Sequence, residues 1–351
     1  MKFTSGLVLS AAAAFAAASS LEGDADDNRL CHAQTAGYLD KLVAGSYVTN
    51  GFFDCFRTQE QIFELLDTLQ NKHPTLITRH EVSKSVNGLV IPGYKVANGK
   101  NAKAIYVQAT QHAREWASTS GSLYALAATL DDVINKKPSP LDHYDVVVVP
   151  IVNLDSYIKT WTTNRLIRTN VNGVDLNRNW PSPYWNADNQ PPGSQTYPGK
   201  AILSEPETLG IHKWLQANAA TIDGGIDVHS NAASVLFPFG DSKVDPVEPY
   251  LAKYKVLGKA VQTAIAGAGG NYDLAQRLYL TYGNFRDYTF RNYTKPGLTI
   301  EVDGVDFVVP VSTIRQVGKE VYAGLKAYST AAVDFNGGTT SPTPTTTKPA
   351  C

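Results

Sequence analysis

One histidine and one glutamate stand three residues apart, shortly after an apolar segment of the chain. Residues 104–109 read Ala-Ile-Tyr-Val-Gln-Ala, a pattern typical of a strand, and His112 and Glu115 follow it. No other of the seven histidines in the 351-residue sequence has a glutamate at this spacing. Imidazole and carboxylate groups are ligands of catalytic zinc, and α/β sheets gather their sites at the carboxyl ends of strands. The pair therefore supplies half of a possible zinc site.

A second histidine and a second glutamate also end strand-like segments. His229 and Glu301 each follow a short apolar run. With His112 and Glu115, His229 would complete a zinc shell of two histidines and one carboxylate that leaves a position for water. Glu301, poorly solvated at a strand end, would be the base that takes a proton from that water. A single histidine is more often a structural core residue, and a single buried glutamate is more often paired with a lysine or arginine. Here the shared position at strand ends favours the metal site.

A loop between these segments is dense in arginine and asparagine. Residues 164–168 read Asn-Arg-Leu-Ile-Arg, and residues 173–180 read Gly-Val-Asp-Leu-Asn-Arg-Asn-Trp. Arginine binds carboxylates through two parallel hydrogen bonds, and a cation beside a metal can stabilise an oxyanion. Solvated surface charge is the usual role of loop arginines, but here they alternate with Asn, Asp and Trp. The loop therefore suits a substrate with a free carboxylate and a reactive carbonyl group.

Strand-like and helical segments alternate through the rest of the chain. Thr58 and Gln61 form a capping box for a first helix, which ends at His73 before Pro74, and residues 155–203 read as a long loop. The predicted strands cover residues 77–82, 104–110, 145–152, 226–228 and 298–302, and the further predicted helices cover residues 116–130, 205–219, 249–267 and 311–327. This order predicts a single α/β domain, whose central twisted sheet is mixed but mostly parallel and is flanked by helices. The zinc site would lie at the carboxyl ends of its strands.

Six motifs, in the same order along the chain, resemble those of the zinc metallocarboxypeptidases of the pancreatic carboxypeptidase A/B type. They are His-Ala-Arg-Glu-Trp at 112–116, Asn-Arg-Leu-x-Arg at 164–168, Gly-Val-Asp-x-Asn-Arg-Asn-Trp at 173–180, Asp-x-His-Ser at 227–230, Tyr-x-x-x-Gly-x-x-x-Asp at 279–287 and Thr-x-Glu at 299–301. The resemblance covers about residues 54–333. It implies an exopeptidase that binds one Zn²⁺ ion and removes the C-terminal residue of peptides and proteins.

The resemblance also implies a role for each matching residue. His112, Glu115 and His229 match the zinc ligands, Glu301 matches the general base, and Arg168 matches the arginine that stabilises the oxyanion.

Further residues match groups that bind the substrate or support the metal site. Asn177, Arg178 and Tyr279 match the groups that hold the terminal carboxylate of the substrate. Arg114 and Arg165 match residues that line the outer subsites and the entry path. Asp175 matches the carboxylate behind the first zinc histidine, a contact that fixes the ring tautomer. Asn231 departs from the tyrosine usual in vertebrate members, a change that bears on the outer subsite rather than on the chemistry.

Arg286 sets the expected preference for the residue that is removed. In the family, the position before the aspartate of the Tyr-x-x-x-Gly-x-x-x-Asp motif lies at the bottom of the pocket for the terminal side chain, and here it is Arg286. A buried guanidinium is costly unless it is paired, so we expect a preference for terminal Glu or Asp. Two alternatives stay open: Asp227, which matches another pocket-lining position, could neutralise Arg286, or a shift in register could turn Arg286 to solvent.

The ends of the chain differ in composition from its centre. Residues 1–19 combine a basic start with a short Ala-rich apolar stretch, which predicts a secretory signal peptide rather than a membrane anchor. Residues 20–53 read as a short polar segment, too short for the globular activation domain of the family, so we expect activity without prior proteolysis. Residues 54–333 are the predicted catalytic domain, and residues 334–351 form a Ser/Thr/Pro-rich tail typical of disordered, O-glycosylated linkers.

Secretion makes the cysteines and the sequon easier to interpret. Cys31 and Cys55 are expected to form a disulfide in an oxidising compartment, whereas Cys351 has no obvious partner. Asn292 begins the sequon Asn-Tyr-Thr and is a predicted glycosylation site. We therefore expect a secreted, extracellular glycoprotein.

The net charge of −1 gives no reason to expect nucleic acid or a membrane as a partner, and we expect a monomer that acts on peptide C-termini. Two other functions stay in view: an inactive peptide-binding relative, and a zinc amidase acting on peptidoglycan stem peptides or glutamyl chains, which a shared fold does not exclude.

Overall fold

The computed structural model describes residues 24–338 of the chain. The predicted signal peptide, residues 1–19, and residues 339–351 of the predicted tail lie outside the described residues. None of the described helices is long and apolar enough to span a bilayer.

A central eight-stranded sheet organises the described residues. Its strands are β1 (Ile77–Lys84), β2 (Val90–Val96), β3 (Ala104–Ala109), β4 (Asp145–Val149), β5 (Ile222–Ser230), β6 (Ser234–Leu236), β7 (Asp273–Ala275) and β8 (Gly297–Val302). They lie in the order β1-β2-β4-β3-β5-β8-β6-β7. The central strands β4, β3, β5 and β8 are parallel, whereas β1 and β2 pair antiparallel at one side and β6 pairs antiparallel with β8 at the other. The prediction of a mixed, mostly parallel sheet is confirmed.

Helices cover the sheet and bury nearly every residue of its central strands. They are α1 (residues 24–34), α2 (Gln59–Lys72), α3 (Trp116–Ile134), α4 (Leu154–Thr160), α5 (Pro206–Ala217), α6 (Tyr250–Gly267), α7 (Phe285–Tyr293) and α8 (Ile314–Phe335). The predicted capping box of α2 is present, with reciprocal hydrogen bonds between Thr58 and Gln61. A continuously apolar strand such as β4, in which all five residues are buried, requires this cover on both faces.

Two small residues let α3 and α8 approach closely. A Cβ atom added to Gly121 of α3 would lie 2.9 Å from Val321 of α8, and one added to Gly318 of α8 would lie 2.2 Å from the ring of Tyr124. Helix α3 is therefore held between the sheet and α8, and its first residue, Trp116, is fully buried. This packing fixes the start of α3, which directly follows Glu115.

The structure corrects several predicted boundaries. Helix α4 takes up the first residues of the segment predicted as the loop 155–203, and α7 and the strands β2, β6 and β7 were not predicted. Strand β2 contains Pro92 and Gly93, which usually mark turns, but pairing with β1 and β4 outweighs this local preference. The last helix runs to Phe335, beyond the predicted domain end at residue 333. Just after it, the Asn336 side-chain amide donates to the carbonyl of Asp223, at the amino end of β5.

The N-terminal segment is an integral part of the domain. The predicted disulfide between Cys31 and Cys55 is present and joins α1 to the residues that precede α2. Tyr47, Phe52 and Phe53 are buried in the hydrophobic core. The predicted division at residue 54 is therefore not a boundary in the packing.

Candidate metal and peptide-binding site

The parallel strands bring the candidate catalytic residues to one edge of the sheet. His112 and Glu115 lie in the turn between β3 and α3, and His229 lies near the end of β5, the neighbour of β3. Glu301 on β8 stands directly beside His229 in the parallel register. Residues that are distant in sequence therefore meet because three adjacent strands end at the same edge.

Two histidines and one carboxylate converge as a donor set for a metal ion. The Nδ1 atom of His112 lies 2.7 Å from Oε1 of Glu115, and Nδ1 of His229 lies 3.0 Å from Oε2 of the same residue. The three ligand atoms all lie within 4.8 Å of one another, and the three residues are buried. Two imidazoles with one carboxylate are a typical donor set of catalytic zinc. These residues therefore fit one Zn²⁺ ion.

A carboxylate stands behind each of the two histidines. Nε2 of His112 lies 3.0 Å from Oδ1 of Asp175, and Nε2 of His229 lies 2.7 Å from Oδ2 of Asp227. Each contact occupies the ring nitrogen that faces away from Glu115. Such contacts fix the tautomer and the orientation of a metal-binding imidazole.

Burial and neighbouring charges shift the pKa values of the acidic groups in opposite directions. Burial alone would raise the pKa of Glu115, but His112 and His229 hold it well below its usual range. Burial likewise opposes ionisation of Asp175, yet Arg168 and Arg178 keep its pKa well below the usual range. Burial raises the pKa of Glu301. The neighbouring charges thus favour the ionised form of Glu115 and Asp175, whereas burial favours the protonated form of Glu301.

The donor set opens into a cavity of about 270 Å³. Its walls combine two of the metal donors, His112 and Glu115, with the carboxylate of Glu301 and with cationic, polar and apolar side chains, among them Arg114, Arg168, Asn177, Arg178, Asn231, Leu278, Tyr279, Arg286 and Phe307. Among the described residues, no group donates a hydrogen bond to the carboxylate of Glu301. The cavity therefore places a free carboxylate beside a metal site and several cations.

Three predicted carboxylate binders meet in this cavity. Arg178 donates through Nη2 to the hydroxyl of Tyr279 at 3.3 Å, and the Tyr279 side chain is exposed at the opening. Asn177 is held by the backbone amide of Phe285, which donates to its side-chain oxygen at 2.9 Å. Arg168 is held differently, because Nε and Nη2 both donate to Oδ2 of Asp175. These contacts hold each side chain in place on the wall of the cavity, and the amide nitrogen of Asn177 lies 3.1 Å from Nε2 of His229.

Arg286 is buried in α7 and lines the cavity. Its guanidinium donates to the carbonyl of Gln276 at 3.1 Å and to the hydroxyl of Thr299 at 3.5 Å, while Nε has no hydrogen-bond partner. The nearest carboxylate oxygen, on Asp287, is 3.8 Å away, and Asp287 already accepts hydrogen bonds from the backbone amide of Gly240. Arg286 thus has one carboxylate at ion-pair distance, Asp287, but no hydrogen bond to it, and it does not turn to solvent.

Asp227 does not neutralise Arg286, which was one of the alternatives from the sequence. Its carboxylate contacts His229 and accepts hydrogen bonds from the side-chain amides of Gln108 and Gln111. Asp227 and His229 are two residues apart on one strand, so their side chains point to the same face. That spacing was a signal in the sequence for the pairing of Asp227 with His229, and the alternative that paired Asp227 with Arg286 did not use it.

Arg165 is the predicted binding residue that the structure keeps out of the cavity. Its guanidinium lies over the Trp116 ring, 3.7 Å from the ring centre, and the residue is buried. Arg114 does line the cavity, with its guanidinium 3.8 Å from the ring centre of Phe307. Arg165 therefore does not line this cavity, whereas Phe307 occupies a position on its wall that the sequence did not indicate.

Comparison with known proteins agrees with this geometry. The family model described as zinc carboxypeptidase matches residues 62–324. Carboxypeptidase A1 of Rattus norvegicus is 28% identical over 309 residues, which cover 82% of this chain and 73% of the relative. An inactive metallocarboxypeptidase of Saccharomyces cerevisiae is 26% identical over 315 residues, which cover 81% and 72%. The solved carboxypeptidase A of Helicoverpa armigera has a TM-score of 0.72 at 24% identity, covers 88% of this chain and 81% of its own, and shows the shared fold.

The chain belongs to the zinc carboxypeptidase family. It is a zinc-dependent carboxypeptidase with one Zn²⁺ ion as cofactor, and His112, Glu115 and His229 are the donor set that fits this ion.

Proposed function

We propose that this protein is a secreted exopeptidase that hydrolyses the last peptide bond of peptides and proteins, with Glu301 as the general base. The observation that carries the proposal is the position of Glu301, which stands beside His229 on the neighbouring strand and faces the same cavity as the metal donors. The alternative of an inactive relative is less well supported, because the three donors and Glu301 are all present together.

The proposed reaction needs a base and a stabilised oxyanion. Zn²⁺, when bound, supplies Lewis acidity that lowers the pKa of water and polarises the scissile carbonyl. Glu301 takes one proton from the attacking water as the new C–O bond forms, and it passes this proton to the leaving amine as the C–N bond breaks. Arg168, held rigidly by Asp175, donates to the oxygen that becomes negatively charged.

The terminal carboxylate of the substrate is proposed to bind at Asn177, Arg178 and Tyr279. An arginine and two neutral donors suit a carboxylate, because charge-assisted hydrogen bonds are stronger than neutral ones. Tyr279 is exposed and already contacts Arg178, so its hydroxyl can reach a carboxylate bound there. Endopeptidase activity would leave this group of donors without a partner.

We further propose a preference for substrates that end in Glu or Asp. Arg286 lines the cavity, its Nε lacks a partner, and Asp227 is engaged with His229 rather than with the guanidinium. Asp287 is at ion-pair distance but accepts no hydrogen bond from the guanidinium, and an acidic side chain of the substrate would supply such an acceptor. A charge-assisted hydrogen bond of this kind is worth roughly 1.5–3 kcal/mol, or about ten- to a hundredfold in selectivity.

The experiment uses blocked dipeptides that end in Glu, Phe, Leu or Lys, with release of the last residue followed by mass spectrometry. We expect the highest kcat/KM for Glu, loss of all activity with a chelator, and recovery with zinc. Arg286→Ile should reverse the order in favour of Phe and Leu, whereas Arg79→Ile, a change at a half-exposed arginine of β1, should not.

The outcomes separate the parts of the proposal. Faster release of Phe than of Glu by the unaltered enzyme would reject the acidic preference but keep the exopeptidase. Cleavage of peptidoglycan stem peptides alone would favour the amidase. No cleavage of any substrate by the zinc-loaded protein would favour the inactive relative.

Secretion rests on the composition of residues 1–19 and is consistent with the disulfide between Cys31 and Cys55. Asn292 is exposed at the end of α7 and is proposed to carry an N-linked glycan. Mass spectrometry of the secreted protein, with and without an N-glycosidase, tests both points.

A further inference from the structure

Helix α1 is bound firmly beside the opening of the cavity. The disulfide from Cys31 to Cys55 ties it to the domain. The backbone amide of Phe56 donates to the side-chain oxygen of Asn28 at 2.9 Å, and Nε2 of His32 lies 2.6 Å from the carbonyl of Phe56. The helix is therefore held at several points along its length.

Asp24, at the start of α1, pairs with Arg165, which does not line the cavity. Its Oδ2 accepts a hydrogen bond from Nε of Arg165 at 2.6 Å, and the Arg165 side chain is only 3% exposed. Asn28 donates to the carbonyl and to Oδ1 of Asp24, which fixes the carboxylate. Among the described residues, Asp24 is the one carboxylate within ion-pair distance of Arg165. A buried guanidinium depends strongly on such a partner.

Arg165 uses its remaining nitrogens to join two segments at the opening. Nη1 donates to the carbonyl of Arg114 at 2.7 Å, and Nη2 donates to the carbonyl of Phe307 at 2.9 Å. Arg114 precedes the metal donor Glu115, and Phe307 follows the strand that carries Glu301. The side chains of Arg114 and Phe307 stack on each other and line the cavity.

We propose that Asp24 is a positioning residue, which acts through Arg165 to hold the Arg114–Phe307 pair in place for the part of the peptide that precedes the scissile bond. The inference rests on the proposed binding of peptides in this cavity. The terminal residue of the substrate binds at Arg178 and Arg286. The substrate residues before the scissile bond must therefore extend from the metal donors toward the opening of the cavity. The Arg114–Phe307 pair forms that part of the wall. Helix α1 thus contributes to the affinity for longer substrates without touching them.

The kinetic test compares two substrates that share their last two residues, a blocked dipeptide and a hexapeptide. For Asp24→Asn we expect KM for the hexapeptide to rise about tenfold, the effect of losing one charge-assisted hydrogen bond, with kcat unchanged. The dipeptide should keep its KM. Asp24→Glu, which keeps the carboxylate, should retain part of the hexapeptide affinity that Asp24→Asn loses. Asp27 is an exposed aspartate of the same helix, and Asp27→Asn should behave as the unaltered enzyme.

A second measurement reports on the contact without any turnover. Hydrogen–deuterium exchange of residues 303–310 should become faster in Asp24→Asn and in Arg165→Lys, which keeps the charge but replaces the three guanidinium nitrogens with a single ammonium nitrogen. Asp27→Asn should leave the exchange unchanged.

Three results would overturn the inference: equal KM changes for both substrates, a fall in kcat with KM unchanged, or unchanged exchange in residues 303–310. If the unaltered zinc-loaded protein cleaved no peptide, the proposed function would fail. The exchange experiment would then still decide whether Asp24 positions the Phe307 segment.

Discussion

The carboxylate of Asp227 lies 2.7 Å from Nε2 of His229, and this contact turns Nδ1 of the ring toward Glu115. Asp175 makes the corresponding contact with His112, at 3.0 Å. Both histidines are therefore oriented by a carboxylate that is fully buried and held by further hydrogen bonds. This arrangement presets the donor geometry before an ion binds, because neither ring can rotate without breaking a charge-assisted contact.

Asp227→Asn should weaken zinc binding by about 10- to 100-fold, the usual effect of removing a partner behind a metal-binding histidine. The affinity is measured by competition with a chromophoric chelator. Asp223→Asn is the matched control, because Asp223 lies on the same strand and pairs with Lys295, away from the metal donors. Equal zinc affinities for the two variants would show that the Asp227 contact does not support the metal site.

Glu301→Gln should retain zinc but lower kcat by about 10²- to 10⁴-fold, because the amide cannot accept the proton from water. His112→Ala should instead lose the metal. Zinc content by atomic emission and turnover on the preferred dipeptide are measured on the same samples. A Gln variant with a rate near that of the unaltered enzyme would disprove the assignment of the base.

Gly240→Ala should reduce the preference for acidic C-terminal residues. A Cβ atom at this position would lie 2.1 Å from Nη2 of Arg286, so the guanidinium must move. We expect the ratio of kcat/KM for Glu over Phe to fall about tenfold, as when one charge-assisted hydrogen bond is lost. The control is Gly267→Ala at the end of α6, where the added atom meets open space. An unchanged ratio would argue that Arg286 does not contact the substrate.

Glu207→Gln should change the pH dependence of stability. Burial raises the pKa of Glu207 from 4.5 to about 7, and Glu205 adds to this effect. The folded protein therefore holds this proton to higher pH than the unfolded chain does. The contribution of protonated Glu207 to the free energy of unfolding is fully present below pH 4.5 and is lost as the pH rises toward 7. This loss amounts to about 3 kcal/mol.

The free energy of unfolding in urea, measured at pH 5 and pH 8, tests this effect. Between these values the unaltered protein should lose more stability than Glu207→Gln, which has no proton to release at this position. Glu81→Gln, at an exposed residue of β1, should follow the unaltered protein. Parallel profiles for the protein and Glu207→Gln would contradict the expectation.

Most of the candidate site could be predicted because it depends on strand ends. His112, His229 and Glu301 each follow an apolar run, and a parallel sheet brings such positions together without any information on side-chain contacts. The central strand β4 was recognisable for a similar reason, since a strand buried on both faces is continuously apolar.

The remaining features depend on contacts between distant segments. The burial of Arg165 needs Asp24 from α1, and the environment of Arg286 needs the carbonyl of Gln276, neither of which is a neighbour in sequence. The short strands β6 and β7 carry only three residues each, too few for a periodic pattern. Helix α7 was missed because Tyr, Thr and Phe, which favour strands, fill much of it.

The end of α8 has a practical consequence. Asn336 reaches the carbonyl of Asp223, so the last described residues lie at the amino edge of the parallel strands, whereas the cavity opens at their carboxyl edge. Asn292 lies near the same amino edge, because α7 ends there and leads into the start of β8. A purification tag or a solid support attached after α8 would therefore face away from incoming polypeptides. Immobilised in this orientation, the protein should trim long chains in flow as readily as it does in free solution.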